Sequence, residues 1–258
     1  MGMDLKGKTV FITGASSGIG AACAEVFAAA GCRLLLAARR LDRLEAMAER
    51  LQEEKGSDVQ VAALDVRDRE AVNALVAALG PTWSDIDVLV NNAGLARGLS
   101  KIYEGDVNDW EEMIDTNVKG LLWVTRAVLR GMVERGSGHV INIGSIAGHE
   151  TYPGGNVYCA SKHAVTAIGR ALNIDVLGTG VRVSTVDPGL VETEFSVVRF
   201  HGDQDRADSA YEGLEPLQGA DVADAVLFCA TRPPNANVRE MILVASAQAS
   251  VVHVHRDS

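Results

Sequence analysis

The sequence predicts an α/β protein in which seven parallel strands form one doubly wound sheet with helices on both faces. Three observations predict it. Apolar runs recur at residues 9–13, 33–37, 59–64, 87–90, 139–143, 182–186 and 240–244, and helical patterns fill the intervals. These runs are continuous Val, Ile and Leu rather than alternating, as in strands covered on both faces of a parallel sheet. A glycine-crowded turn, Thr13-Gly14-Ala15-Ser16-Ser17-Gly18-Ile19-Gly20, lies directly between the first run and an alanine-rich helical stretch.

Each element follows in order. The first strand enters the glycine turn, where Gly14, Gly18 and Gly20 allow a backbone to approach a pyrophosphate closely. Ser16, Ser17 and Ile19 fill the turn, and the helix start beyond it aims amides and a positive dipole end at an anion. A packing turn would use glycines too, but the strand-turn-helix context favours the phosphate cradle. This is the dinucleotide-binding turn of a Rossmann-type fold. At the end of the second strand, about twenty residues on, a free ribose 2′-hydroxyl would call for an acid. The chain has Ala37-Ala38-Arg39-Arg40 instead, so two guanidiniums stand where a 2′-phosphate would be held. NADP(H) is the expected cofactor, although one of the two arginines could equally be a solvated residue at a helix start.

Residues 41–55 then place Leu41, Leu44, Met47, Ala48 and Leu51 on one helical face. Two stretches break the strand and helix rhythm, at 95–106 and at 190–218; the second is long for a connector and reads as a substrate lid. With 258 residues, 47% of them hydrophobic, the chain can bury one substantial core, and a single domain over residues 1–258 is expected. The net charge of −10 argues against nucleic acid as a partner. No apolar run approaches the ~20 residues that span a bilayer, and the opening residues have no secretory core. A cytoplasmic protein without membrane partners is expected. Cys23, Cys32, Cys159 and Cys229 are scattered without ligand spacing, and the six histidines, including His253 and His255 near the end, form no ligand set. No metal is expected.

Tyr158 and Lys162, in Tyr158-Cys159-Ala160-Ser161-Lys162, share one helical face a turn apart. An ammonium beside a phenol lowers the phenol's pKa and makes Tyr158 a usable proton donor and acceptor. An ordinary surface pair has the same spacing, and four further features tip the balance. Asn91-Asn92-Ala93-Gly94 follows the fourth strand, Ser145 the fifth and Pro188-Gly189 the sixth, in step with the glycine turn before them. With these motifs, the chain resembles the short-chain dehydrogenase/reductase family over essentially its whole length.

The resemblance implies roles residue by residue. Asp65 and Val66 would contact the adenine, and Asn92, Ala93 and Gly94 would line the cofactor. Pro188, Gly189, Val191 and Thr193 would hold the nicotinamide end. Asn117, in Asp115-Thr116-Asn117-Val118-Lys119-Gly120, would hold a proton-relaying water. Chemistry gives the rest a reason: a carbonyl accepting hydride needs a hydrogen-bond donor, Ser145, and a general acid, Tyr158, at one oxygen. Lys162 would lower the Tyr158 pKa and bond the nicotinamide ribose. The family resemblance also implies a homo-oligomer, commonly a tetramer, built on the helices around 110–134 and 157–177, although Leu121, Leu122, Val124 and Val128 fit packing on the sheet equally.

A finer resemblance runs through residues 91–96, 109–117, 154–158 and 188–203. They look like the NADP-dependent 3-hydroxy acid dehydrogenases, which oxidise serine and allo-threonine, and much of the pattern is shared by sulfoacetaldehyde reductases. Both act on a small alcohol or carbonyl with an anionic head, which calls for a cation in the pocket. Arg199 is the candidate, against a solvent-facing arginine paired with Asp203 or Asp205, and Tyr152 is a candidate wall. Arg97 and His149-Glu150-Thr151 depart from the 3-hydroxy acid pattern. A reductase of less polar ketones or aldehydes is the alternative within enzymes. A non-catalytic NADP(H) sensor is disfavoured because Asn117, Ser145, Tyr158 and Lys162 are all present.

Overall fold

A computed structural model of the chain describes residues 2–257. Seven strands form one parallel sheet: β1 (Thr9–Thr13), β2 (Arg33–Ala38), β3 (Val59–Ala63), β4 (Val88–Asn91), β5 (Gly138–Ile143), β6 (Val181–Pro188) and β9 (Glu240–Leu243). The spatial order is β3-β2-β1-β4-β5-β6-β9, so the winding reverses between β1 and β4. Ligands of open α/β sheets bind at such a switch point, beyond the carboxyl ends of the strands. The strand positions read from the sequence agree to within two residues.

Side-chain alternation divides the core. Val10, Ile12, Leu34, Leu36, Val88, Val90, Ile141 and Ile143 face one layer, where they meet Phe27 of α1 (Gly18–Ala29), Leu44 of α2 (Leu41–Lys55) and Val226 of α10 (Gly219–Ala230). The residues between them, Phe11, Leu35, Leu89 and Val140, face the other layer. There they pack against Val72 of α3 (Arg69–Ala77) and against Val124, Val128 and Met132 of α6 (Leu121–Arg135). Strands buried on both faces have no polar side to offer, which is why their sequence does not alternate.

Caps set the helix starts. The Asp68 carboxylate accepts from the Ala71 amide at 3.0 Å to begin α3, and a reciprocal Gln218–Asp221 capping box begins α10. After the short helix α4 (Pro81–Ser84), α5 (Val107–Ile114) runs into a π-helical turn, Asp115–Gly120, before α6. Wide turns of this kind bulge one residue out of the helix and recur at functional sites. α7 (Asn156–Asp175) follows β5 and carries the Tyr158-x-x-x-Lys162 pair.

Residues 190–218 are ordered rather than open coil. Their ends, β7 (Val191–Glu192) and β8 (Leu217–Gln218), pair in parallel, with Val191 opposite Leu217. Between them lie α8 (Phe195–Arg199) and α9 (Gln204–Ser209). Two-residue strands are too short to leave a periodic signal, so the sequence showed only a long connector here. Among the described residues no helix is long and apolar enough to cross a membrane.

Candidate active site

A cleft of about 450 Å³ opens at the switch point. It is lined by every residue expected to touch cofactor or substrate except Gly20. Gly20 lies behind the lining: a Cβ there would come within 2.4 Å of Asn92 Nδ2 and of the Gly14 carbonyl. Gly14 has φ +66°, and a Cβ on it would meet Ala93 Cα at 2.9 Å. The turn thus needs glycine for its own closure against β4 as well as for any phosphate. The Asn92 amide seals it, donating to the carbonyls of Thr13 at 3.0 Å and Gly14 at 3.1 Å. Ser17, the residue before α1, makes no side-chain cap, so the first amides of that helix keep their donors for an anion.

At this outer end Arg40 is the organising cation. Its Nη2 donates to Ser17 Oγ at 2.7 Å, Nε to Ser16 Oγ at 3.3 Å, and Nη1 to Glu194 at 2.8 Å. Arg43, one turn along α2, holds the other Glu194 oxygen at 2.6 Å. The two guanidiniums, Arg43 first, hold the Glu194 carboxyl well below the usual range, at about 2. Arg39 stands further out, its nearest carboxylate being Glu112 at 3.8 Å. Two serine hydroxyls and guanidinium groups around one half-exposed corner are a donor set for a 2′-phosphate, so the residues present fit NADP(H). Asp65 is bound by Arg67 at 2.6 Å, which lowers its pKa, and Val66 packs beside Gly120 of the π-helical turn. Arg43 and Glu194 were missed in the sequence; the i, i+3 spacing of Arg40 and Arg43 at a helix start was the available signal.

The inner end is buried. Ser145 begins a 3₁₀ turn, Ile146–Gly148, and its Oγ accepts from the Ala147 amide at 3.1 Å. Its donation to the Pro188 carbonyl is long, 3.4 Å, which leaves the hydroxyl free to turn toward a better acceptor. Lys162 is 6% exposed, and its Nζ donates to the Ile143 carbonyl at 3.0 Å. Burial pushes its pKa down to about 8, against the pull of Asp187.

Tyr158 corrects one expectation. Burial pushes its phenol up rather than down, and the group that opposes burial first is Arg199, followed by a hydrogen bond from Ser145. Lys162 Nζ lies 6.0 Å from the Tyr158 ring centroid and is turned to the Ile143 carbonyl, so it is not the group that acidifies the phenol in this geometry. The Asn117 amide is tied into the fold. Both N–H groups of its amide are used, on the Leu95 carbonyl at 2.8 Å and Ser161 Oγ at 3.0 Å. Its Oδ1 accepts from the Leu95 amide at 2.8 Å. The side chain lies outside the cleft lining and ties the π-helical turn to the β4 exit and α7; holding a water does not fall to its N–H groups.

Arg199 lies over the site. Its guanidinium carbon is 5.0 Å from the Tyr158 ring centroid and 5.3 Å from that of Phe195, and Nη2 donates to Tyr152 Oη at 2.7 Å. Among the described residues it has no carboxylate within ion-pair distance, and its Nε is buried without a partner there. Asp203 caps α9 through the Arg206 amide instead of pairing with Arg199. Arg97 joins Glu112 at 2.7 Å and donates to the Val198 carbonyl, so this departure fastens the 95–106 stretch to α8. Residues near the end of the chain also form a wall. Gln248 accepts from the Leu190 amide at 2.9 Å, and both it and Val251 line the cleft, which nothing in their sequence signalled.

A cleft of this kind at the switch point of a doubly wound sheet defines a dinucleotide-binding protein. Comparison with known proteins narrows the class: residues 8–203 match the family model described as short chain dehydrogenase, and the chain belongs to that family. It is 48% identical over 250 residues to the NADP-dependent 3-hydroxy acid dehydrogenase YdfG of Salmonella typhi, covering 96% of this chain and 99% of the relative. It is 47% identical over 241 residues to the sulfoacetaldehyde reductase of Chromohalobacter salexigens, covering 93% and 94%. Among solved structures, the closed form of serine dehydrogenase complexed with NADP⁺ superposes with a TM-score of 0.90 at 44% identity, covering 96% of this chain and 100% of that one.

Proposed function

We propose that this protein is an NADP-dependent oxidoreductase that interconverts the alcohol of a small 3-hydroxy acid, such as serine or allo-threonine, with its carbonyl counterpart. The observation that carries the substrate class is Arg199: a guanidinium over the general acid, held by Tyr152 and lacking any carboxylate of its own among the described residues. A cation left without a counter-ion in a partly enclosed pocket is a site for an anionic head group. NADP(H), when bound, supplies or takes up the hydride.

The chain's residues supply everything else. Arg40, with Arg39, Ser16 and Ser17, holds the 2′-phosphate, and the glycine turn with Ile19 takes the pyrophosphate. Asp65 and Val66 flank the adenine. Asn92, Ala93, Gly94, Pro188, Gly189, Val191 and Thr193 shape the channel toward the nicotinamide. In reduction, Tyr158 gives its phenolic proton to the oxygen on which negative charge develops, while the Ser145 hydroxyl donates to that oxygen. In oxidation the tyrosinate removes the alcohol proton. Lys162 keeps a positive charge near this exchange, and Arg199 neutralises the substrate anion. Residues 190–218, closed at their base by the β7–β8 pairing and carrying Arg199, act as the lid of one catalytic domain.

Exposed apolar residues Leu122 and Val133 on α6 and Ile174 and Leu177 near the end of α7 support a homotetramer built on those helices. Four free cysteines, all buried, fit a reducing cytoplasm. A sulfonate would suit the same guanidinium, and the sulfoacetaldehyde reductase relative keeps that reading in play. Initial rates with NADP⁺ or NADPH on serine, allo-threonine, 3-hydroxypropionate, sulfoacetaldehyde and a neutral ketone decide between them. The highest kcat/KM is expected on a 3-hydroxy acid; preference for sulfoacetaldehyde selects the second reading, and preference for the neutral ketone removes the anion site.

A further inference from the structure

His149, in the stretch that departs from the 3-hydroxy acid pattern, meets Asp187 behind the reacting end of the cleft. Asp187 is fully buried at the end of β6. One of its oxygens, Oδ1, accepts from the Ser145 amide at 3.1 Å; the other, Oδ2, lies 3.1 Å from His149 Nε2. The carboxylate lies so close to the backbone of Gly144 that a Cβ there would come within 1.8 Å of Oδ1. Gly144 is itself bonded to β6, its amide donating to the Val186 carbonyl at 2.8 Å. The backbone that presents Ser145 is therefore held by β6 and by one buried carboxylate, whose second oxygen faces one imidazole nitrogen at ion-pair distance, neither of those two atoms having a hydrogen-bond partner among the described residues.

We propose that Asp187 and His149 form a positioning pair that fixes the Ser145 turn and the charge behind it for hydrogen-bond donation to the substrate oxygen. This rests on the reading of Ser145 as that donor. The charged groups facing the pair are few. Lys162 of α7 acts on Asp187, Arg170 of the same helix acts from further off, and Glu240 of β9 acts on His149. Burial raises the Asp187 carboxyl; His149 opposes this first, then the Ser145 amide and Lys162. Without the imidazole the carboxyl takes up a proton at higher pH. It then loses its charge, and with it part of its hold on the Ser145 amide and its support for the Lys162 ammonium.

The test compares H149A, H149Q and D187N with wild type and S145A. Each is assayed with NADP(H) and whichever compound of the substrate panel the wild type turns over fastest, and NADPH affinity is measured separately by fluorescence. For H149A, kcat is expected to fall about tenfold with KM and NADPH affinity unchanged, and the acid limb of kcat to move up by about one pH unit. H149Q, which restores a donor to Asp187, should recover most of the activity. D187N should lower kcat as H149A does. Unchanged kcat and pH profile in H149A overturn the proposal, as does a parallel loss of NADPH affinity and thermal stability in all three variants. If S145A turns over like wild type, the reading of Ser145 fails on its own account. The Ser145 amide resonance, followed through pH by NMR, needs no turnover: its transition should lie at higher pH in H149A, and coincident transitions overturn the pair.

Discussion

The two ends of the cleft use the same residue types in opposite ways. At the outer end Arg40 and Arg43 are about two-fifths exposed and share Glu194 at 2.8 and 2.6 Å. At the inner end Arg199 touches rings and a phenol oxygen and, among the described residues, has no carboxylate. Exposed ion pairs are weak and exchange readily, so Glu194 can yield its guanidiniums to a phosphate at little cost. A half-buried cation without a counter-ion in a partly enclosed pocket is a standing demand for an anion. On the proposed function, the outer end selects by exchange, and the inner end by a charge imbalance that the substrate completes.

The largest expected effect lies where burial is greatest. Y158F should lower kcat by about 10²- to 10⁴-fold, the usual contribution of a positioned general acid, with NADPH affinity unchanged in a fluorescence titration. A mild effect on kcat would mean that the proton comes from elsewhere. At the outer end the effect should be smaller and confined to one cofactor. R40A should weaken NADPH binding roughly tenfold and leave NADH binding nearly unaltered, with the difference shrinking as salt is raised. Equal affinity of the wild type for NADPH and NADH would remove the phosphate site and the comparison with it.

His139 separates burial from catalysis, because it lies in the sheet away from both ends. It is 2% exposed, with Nε2 2.8 Å from Ser184 Oγ, and burial, aided by Arg182, pushes its pKa down to about 3. The unfolded chain binds a proton below about pH 6.5 that the folded chain refuses, so stability falls as pH drops from there toward 3. Near pH 5 the loss should be about 2 kcal/mol in urea unfolding, and a non-titrating H139Q should flatten this dependence while leaving kcat at neutral pH unchanged.

What the sequence made legible follows from range. The seven strands, the glycine turn, Arg39, Arg40 and the Tyr158–Lys162 pair are local patterns, and the structure holds them where the patterns put them. The contacts that set the charges are not local. Arg40 and Glu194 are 154 residues apart, and Asp187 and His149 meet only because β5 and β6 are neighbours in the sheet. The direction of the Tyr158 shift was misread for the same reason: helical spacing revealed Lys162, whereas burial and Arg199, which α8 brings over the ring, decide it. Asn117 was legible as a residue of the site region, but its employment by Leu95 and Ser161 depends on a π-helical turn that leaves no periodic trace.

The central claim is that the unpaired Arg199 makes this an enzyme for anions, and the most direct measurement is kcat/KM of wild type and R199A on serine and on a neutral ketone with the same cofactor. Loss of a charged hydrogen-bond partner worth about 1.5–3 kcal/mol should lower kcat/KM for serine by about 10- to 100-fold, mostly through KM, and change that for the ketone little. An equal loss on both substrates would contradict the account.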